Sequence, residues 1–324
     1  MSEDGMRIAV FGSGGVGAYF GGRLAQIGQD VTFIARNENL AVLRSQGLKV
    51  GSIAGDFIID RVQVSNNPAE VGTVDYVLCC VKSWQVTAAA RAMLPLVGPD
   101  TLVIPLQNGV EAPAQLASIL DPANVLGGLC AIVAFLASPG HVKHSGANPL
   151  IRFGHLDNHA DPRVNALSEI FNHCSGVKSS IPDDVVVAMW QKFMLITPWS
   201  GLGAVSRAPI GVLLEQPETR DLLAQGIEEI RLLGLALGVN IPTDSVERTM
   251  ATLHDIPPNS TTSMQRDLVR GRPSELDAQN GAVVRLAWEA GIDTPINRFF
   301  LYSLRSLELR ARGALTFNRR SKQR

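Results

Sequence analysis

Short apolar runs alternate with helical segments along the first half of the chain. Glycine or polar residues follow these runs, which predicts buried strands at residues 7–12, 31–35, 74–81 and 101–106. Helical segments lie between them, at residues 18–27 and 87–94. Strands that are apolar on both faces are typical of sheets covered by helices, so the pattern predicts an α/β domain with a parallel sheet.

The pattern changes twice toward the C-terminus. Between residues 125 and 153 the apolar runs lie close together around the turn sequence Ser138-Pro139-Gly140, which predicts an antiparallel extension. Beyond residue 182 the strand signal fades, and helical periodicity predicts helices at residues 184–196, 217–237, 243–253, 263–270, 274–290 and 295–312. We therefore expect an α/β domain at residues 1–182 and an all-α domain at residues 183–324.

The composition is that of a globular protein with sizeable cores. Of 324 residues, 46% are hydrophobic and 18% charged, and the net charge is −1, which argues against disorder and against a nucleic-acid partner. The four cysteines lack disulfide or CxxC spacing, which favours a reducing, cytoplasmic location. We predict no signal peptide, membrane span or metal site, interpret the basic residues 319–324 as a solvated end, and find a homodimer compatible with the sequence.

The first predicted strand leads directly into a glycine-rich turn that opens a helix. The turn matches the pattern G-x-G-x-x-G of dinucleotide-binding sites, with the residues Gly12-Ser13-Gly14-Gly15-Val16-Gly17. The first glycine would allow the tight turn, the second the approach of a pyrophosphate, and the third close packing of helix on strand. N–H groups at the helix N-terminus would bind the phosphates. A turn without a ligand is the alternative, and the position after a strand argues against it.

The residue after the second strand bears on which nucleotide is bound. Enzymes that use NAD commonly place an acidic residue here, whereas Arg36 could pair with the 2′-phosphate of NADP. We therefore predict NADPH/NADP as the cofactor. In the alternative interpretation Arg36 is a surface residue and Glu38 is the acidic partner of the ribose.

Two further candidates follow strands of the predicted sheet, where ligands of open α/β sheets bind. Lys82 comes directly after the third run and could contact the cofactor or an anionic substrate, or be an ordinary exposed lysine. Asn108 lies in the sequence Gln107-Asn108-Gly109 after the fourth run, where Asn-Gly is also a common turn pair.

The helical half contains three candidates, each with a structural alternative. Lys192 is the single charge in the apolar run of residues 185–196, and its side chain either reaches the surface or enters a partly buried site suited to proton transfer. Ser263 lies at a helix start and could bind a carboxylate or cap the helix. Glu275 could serve in a site or be an acid favoured by the first helical turn.

Taken together, these residues resemble the ketopantoate reductase (2-dehydropantoate 2-reductase) family over nearly the whole chain. The order and spacing of several motifs carry the resemblance. They are the glycine turn, Cys80-Val81-Lys82-Ser83-Trp84-Gln85, Leu106-Gln107-Asn108-Gly109-Val110, Trp190-Gln191-Lys192-Phe193, Ser263-Met264-Gln265-Arg266-Asp267, Ser274-Glu275-Leu276-Asp277, and Thr294-Pro295 with Asn297.

The resemblance implies NADPH-dependent reduction of 2-dehydropantoate to pantoate, a step toward coenzyme A. It implies a Rossmann domain, a helical domain and an active site in the cleft between them. By resemblance, Lys192 is the catalytic lysine, and Glu275 works beside it and near the cofactor. Ser263 would contact the substrate carboxylate, while Asn108 and Lys82 would line the cofactor and substrate crevice. Arg36 matches the 2′-phosphate arginine.

One departure from the family pattern affects the substrate. Many members carry asparagine four and eight residues after the lysine, the first of which binds the substrate hydroxyl, and here these positions are Ile196 and Ser200. We expect Ser200 to remain a substrate contact, but isoleucine cannot donate a hydrogen bond. Two alternatives therefore stay open: a reductase for another 2-keto or 3-hydroxy acid with an apolar tail, and an NADP-binding sensor without turnover.

Overall fold

A computed structural model describes residues 5–317 of the chain, apart from the side chains of residues 147 and 148. The predicted solvated end at residues 319–324 lies outside the described residues. The contacts divide the chain into two compact units. Unit 1 contains the described residues up to Gln107 and Glu111–Met189, and unit 2 contains Asn108–Val110 and the described residues from Trp190 onward. The domain boundary near residue 182 stays a prediction.

The described residues contain ten strands and thirteen α-helices. The strands are β1 Arg7–Phe11, β2 Asp30–Ile34, β3 Leu48–Ser52, β4 Phe57–Ile59, β5 Gln63–Ser65, β6 Tyr76–Cys79, β7 Leu102–Pro105, β8 Gly127–Ser138, β9 His141–Gly154 and β10 Lys178–Ser180. The helices are α1 Gly15–Gln26, α2 Asn37–Gln46, α3 Pro68–Val71, α4 Val86–Met93, α5 Ala112–Ala117, α6 Pro162–His173, α7 Val185–Ser206, α8 Ile210–Glu215, α9 Pro217–Ala236, α10 Ser245–His254, α11 Ser263–Val269, α12 Asn280–Ala290 and α13 Pro295–Ala311.

A five-stranded parallel sheet in unit 1 confirms the predicted Rossmann-type domain. Its strand order is β5-β2-β1-β6-β7, so the order reverses at β1, and the glycine turn follows the carboxyl end of that strand. The strands β1, β6 and β7 are buried almost throughout, which is why their sequences are nearly continuous apolar runs. Ligands of such sheets bind at the point where the strand order reverses.

The antiparallel strands predicted after residue 125 form a hairpin of β8 and β9, with its turn at Gly140. This hairpin belongs to a second, mixed sheet of order β10-β9-β3-β4, with β8 paired to β9. Sequence patterning missed β3, β4, β5 and β10. These strands have three to five residues and mix buried with exposed positions, so they carry little periodic signal.

The predicted all-α region is confirmed as helices α7 to α13, with two corrections to their bounds. Helix α7 does not end at Ile196 but continues through Pro198, although proline weakens a helix interior. Close packing compensates for this: a Cβ on Gly226 of α9 would lie 3.2 Å from the ring of Pro198, and one on Gly201 would lie 2.7 Å from Phe300. Tertiary contacts therefore override the local preference.

The second correction concerns the start of α12. Sequence analysis begins this helix at Ser274, whereas Ser274 and Glu275 are not helical, residues 276–279 form turns and the helix starts at Asn280. No helix within residues 5–317 combines the length and the apolar character needed to cross a membrane.

Candidate functional site

The glycine turn in unit 1 has the backbone geometry that its sequence predicts. Gly12 adopts φ +103°, a conformation that residues with side chains rarely reach, and its amide donates to the Ile34 carbonyl at the end of β2. A Cβ on Gly17 would lie 2.2 Å from the Gly12 carbonyl oxygen, so α1 can pack this closely on β1 only with glycine there. The first and third glycines are therefore required by the fold.

Gly14 is different, because the fold does not require a glycine at this position. A Cβ added at Gly14 would meet no atom within 4 Å, and its φ of −76° is open to any residue. It is the N-cap of α1, where no side chain caps the helix and no acidic residue lies in the first turn. The open space next to uncapped N–H groups fits a pyrophosphate.

Gly15 has a structural role that the sequence analysis did not predict. A Cβ there would lie 2.5 Å from the Ala134 carbonyl oxygen, because the backbone of β8 crosses over the start of α1. Gly15, which is not one of the three glycines of the G-x-G-x-x-G pattern, therefore makes room for the second sheet.

Asn39 braces the glycine turn, and sequence analysis missed it. Its amide nitrogen donates to the carbonyl of Ser13 at 3.0 Å and to the Ser13 hydroxyl at 2.8 Å. Its amide oxygen accepts from the Gly140 amide at 2.8 Å. One side chain on α2 thus connects the turn of β1 with the hairpin turn of the second sheet. No local motif marks this residue, since its partners lie 26 and 101 positions away.

Arg36 and Lys82 are both exposed side chains of unit 1 at strand ends. Arg36 follows β2 and forms no hydrogen bond or ion pair through its side chain within residues 5–317, so its guanidinium is available to a phosphate. The ammonium of Lys82 lies 5.8 Å from the ring centre of Trp84. Gln107 supports this segment by donating at 2.9 Å to the carbonyls of Cys79 and Val81.

Lys192 in unit 2 lies on α7 and is half-buried. Among the described residues its ammonium takes part in no side-chain hydrogen bond or ion pair, and it does not pair with Glu275. An ammonium without a partner on a half-buried side chain is suited to bind an anionic or developing negative charge.

The structure brings Asn108 and Glu275 together across 167 positions of sequence. The Asn108 amide donates to Oε2 of Glu275 at 3.0 Å, and the Glu275 side chain is buried. Gly109 permits this approach, since it adopts φ +102° and a Cβ there would lie 2.6 Å from the Ala278 carbonyl oxygen. The Asn-Gly pair is therefore a turn, as one interpretation held, and also places a hydrogen-bond donor on a buried carboxylate.

A network from α13 holds the turn that carries Glu275. The Glu308 carboxylate accepts from the amide of Ser274 at 3.0 Å and from its hydroxyl at 2.6 Å. Arg312 donates to Glu308 at 2.6 Å and to the Ser274 carbonyl at 3.1 Å. These bonds hold the backbone at Ser274 in a non-helical conformation. Glu275 therefore lies before α12 and is not an acid of its first turn. Sequence analysis found neither Glu308 nor Arg312.

Ser263 is not the residue that caps α11. The Thr262 hydroxyl accepts from the Gln265 amide at 3.1 Å and performs the capping, while Ser263 is half-buried as the first helical residue. Its hydroxyl is therefore available for another role. The nearby Arg266 is largely buried, and this burial lowers the pKa of its guanidinium below the usual value.

Ile196 and Ser200 follow Lys192 at intervals of one helical turn on α7. The Ser200 side chain is fully buried, and its hydroxyl has no hydrogen-bond partner among the described residues. Buried hydroxyls are normally paired, so this group has unused capacity to bind a polar ligand or a water molecule. Ile196 offers only an apolar, half-buried side chain.

Two family models match the chain. "Ketopantoate reductase PanE/ApbA" matches residues 8–158, and "Ketopantoate reductase PanE/ApbA C terminal" matches residues 184–308. The 2-dehydropantoate 2-reductase of Halobacterium salinarum is 30% identical over 294 residues, which cover 90% of this chain and 96% of that protein.

Solved structures show the same similarity. A PanE/ApbA family ketopantoate reductase from Ralstonia eutropha JMP134 has a TM-score of 0.84 and 32% identity, with 95% of this chain and 100% of that chain covered. D-mandelate dehydrogenase with NADH and anilino(oxo)acetate has a TM-score of 0.83, covering 94% of this chain and 98% of that one. At 22% identity, this second similarity shows a shared fold alone.

Proposed function

The chain belongs to the ketopantoate reductase family, as its motifs predict, and on this premise we propose that it reduces 2-dehydropantoate to pantoate with NADPH. It is an oxidoreductase of the class that acts on CH–OH groups. The half-buried ammonium of Lys192, without a partner among residues 5–317, is the observation that carries the proposed reaction.

In the proposed reaction, unit 1 binds the dinucleotide. The open space at Gly14 and the uncapped N-terminus of α1 support binding of the pyrophosphate there. Exposed Arg36 supports a preference for NADPH, since a guanidinium forms charge-assisted hydrogen bonds with a 2′-phosphate. The fold itself does not decide this preference, because D-mandelate dehydrogenase binds NADH on the same fold. Lys82 would contact the cofactor from its strand end.

When bound, the nicotinamide supplies a hydride to the carbonyl carbon of the keto acid. The carbonyl oxygen then carries a developing negative charge. We propose that the ammonium of Lys192 stabilises this charge and donates a proton to the oxygen, so that the product is the hydroxy acid. Lys192 returns to the ammonium form by taking a proton from water.

Four side chains of unit 2 would support the proposed catalysis. Asn108 holds the carboxylate of Glu275 by the 3.0 Å hydrogen bond, and this carboxylate would orient Lys192 or accept from a hydroxyl of the ribose or substrate. Asn108 would also contact the cofactor or substrate. Ser263 would bind the substrate carboxylate, which fits a hydroxyl freed from capping by Thr262. The buried, unpaired hydroxyl of Ser200 would supply one more polar contact.

A second candidate substrate is favoured by one residue. Ile196 offers an apolar surface one turn from Lys192, where a hydroxyl-binding amide would stand in many relatives. We therefore consider another 2-keto or 3-hydroxy acid with an apolar tail as the alternative. Both candidates use the same chemistry and differ only in how the substrate chain is bound.

A spectrophotometric assay separates these functions. NADPH consumption is followed with 2-dehydropantoate and with a panel of keto acids that carry apolar tails, and each reaction is repeated with NADH. We expect the highest kcat/KM with 2-dehydropantoate and NADPH. A higher kcat/KM with an apolar keto acid would favour the second candidate, and tight NADPH binding without turnover of any acid would indicate a sensor. A cytoplasmic location and a homodimer stay predictions.

A further inference from the structure

A cluster of possible metal ligands lies in unit 1 between strand β9 and helix α6. It consists of His155, His159 and Asp161, each of which offers one ligand atom, and these atoms all lie within 4.8 Å of one another. The side chains of His155 and Asp161 are 7% and 6% exposed, whereas that of His159 is 54% exposed. None of these residues belongs to the proposed reductase site.

The three side chains lie close together and are held by hydrogen bonds and ring stacking. Nε2 of His155 lies 2.9 Å from Oδ2 of Asp161, and the rings of His155 and His159 stack with centres 3.8 Å apart. Nδ1 of His159 lies 2.7 Å from Oδ1 of Asp157. A carboxylate on one ring nitrogen orients the other nitrogen as a ligand, and this arrangement is typical of histidines that bind metals.

Arg163 also binds Asp161 and would share this carboxylate with a cation. It donates from Nε and Nη2 to the carboxylate, the latter at 2.7 Å, and its backbone amide donates to Oδ1 at 2.8 Å. The carboxylate is thus ionised and fixed in orientation, and a bound cation would take the place of the proton between Oδ2 and His155.

We propose that His155, His159 and Asp161 bind one divalent transition-metal ion of the Zn²⁺ class, with water as the fourth ligand. Two imidazoles and one carboxylate suit such an ion and not Mg²⁺ or Ca²⁺, which prefer oxygen ligands. In a tetrahedral zinc site, ligand atoms lie about 3.3–3.5 Å apart. The pair of His155 and Asp161 must therefore open by roughly 0.5 Å, and His159 must approach slightly.

The proton displaced from Nε2 of His155 moves to the other ring nitrogen or to solvent. The ion would connect the loop after β9 to Asp161, which caps α6 by accepting from the Arg163 amide. Its expected effect is structural, since it would restrain the loop at residues 155–161. No change in the reductase reaction is required.

The test uses the full chain without a histidine tag, stripped of metal with a chelator and dialysed. Titration calorimetry with Zn²⁺ is expected to show one ion bound per chain. The exposed His159 is the first residue to change, because H159A should leave folding intact while lowering Zn²⁺ affinity at least tenfold. H173A, which removes an exposed histidine at the end of α6, is the matched control and should bind as the unchanged chain does.

Co²⁺ provides a spectroscopic probe, and its visible absorption should report nitrogen and oxygen ligands. D157N should weaken Zn²⁺ binding by about tenfold, since it alters the group that orients His159. The proposal is wrong if the unchanged chain binds no Zn²⁺, if H159A binds it equally well, or if H173A loses as much affinity. Thiolate-to-cobalt absorption would place the ion on a cysteine and would also overturn it.

Discussion

The glycine turn of unit 1 and the Lys192 and Glu275 region of unit 2 were both predicted from sequence, but on different grounds. At the turn, the proposed function depends on backbone, and the structure gives each glycine a separate physical reason. In unit 2, the proposed function depends on side chains, and Asn108 and Glu275 meet from 167 positions apart. The comparison shows that a motif predicts the geometry of a local backbone turn, whereas candidate side chains far apart in sequence do not reveal which of them are in contact.

The two regions also differ in how the fold supports them. The turn is braced by one residue, Asn39, which joins it to the second sheet. The turn of Glu275 is held by Glu308 and Arg312, which bind the backbone at Ser274. Loss of Asn39 should therefore lower nucleotide affinity in unit 1. Loss of Glu308 or Arg312 should instead shift the carboxylate of Glu275 in unit 2.

The largest expected effect is the loss of turnover when Lys192 is replaced. K192A should lower kcat by about 10²–10⁴-fold, because the variant lacks the ammonium that would protonate the product oxygen. Its NADPH affinity should change little, since Lys192 is not among the proposed nucleotide contacts. Stopped-flow reduction and fluorescence titration with NADPH measure the two quantities. The control is K178A, which removes an exposed lysine of β10. Unchanged turnover in K192A would refute the proposed role.

Two substitutions test whether Gly14 and Gly17 have different roles in the glycine turn. G17A should lower the free energy of unfolding by about 1–3 kcal/mol, because its Cβ would overlap the Gly12 carbonyl. G14A should leave the melting temperature unchanged but weaken NADPH binding by about tenfold to a hundredfold, since its methyl group enters the proposed pyrophosphate space. Each variant is the control for the other. Equal NADPH affinity in G14A and the unchanged chain would contradict the assignment of the phosphate site.

The next effect concerns nucleotide preference. R36A should weaken NADPH binding by about tenfold and leave NADH binding nearly unchanged, because only NADPH carries the 2′-phosphate. The ratio of kcat/KM with the two nucleotides measures this preference. R44A, which removes an exposed arginine of α2, the helix that begins directly after Arg36, is the matched control. An equal loss of NADPH and NADH affinity in R36A would show that Arg36 does not bind the 2′-phosphate.

The smallest expected effect concerns the brace of the turn. N39A removes bonds to Ser13 and Gly140, and NADPH affinity should fall by about threefold to tenfold while kcat at saturation stays constant. Nucleotide titration and saturation kinetics check the two parts. S45A changes a hydroxyl on the same helix that bonds only its own backbone, and it should have no effect. A fall in kcat without a change in affinity would contradict a positioning role for Asn39.

Much of the fold could be predicted because its strands are nearly pure apolar runs with clear ends. The strands β1, β6 and β7 are buried along their whole length or nearly so, and burial on both faces leaves a continuous signal. The short strands β4, β5 and β10 were missed because three residues carry no period. The prediction ended α7 at Ile196, before Pro198, since local propensity does not include packing against Gly226.

The sequence by itself determined the parallel sheet, the position of the glycine turn and membership of the family, because each depends on residues that are neighbours along the chain. Only the tertiary structure decided that Asn108 binds Glu275, that Thr262 and not Ser263 caps α11, and that two histidines after β9 lie close to Asp161. These arrangements depend on how separate segments pack, and packing brings together side chains whose distance in sequence carries no signal.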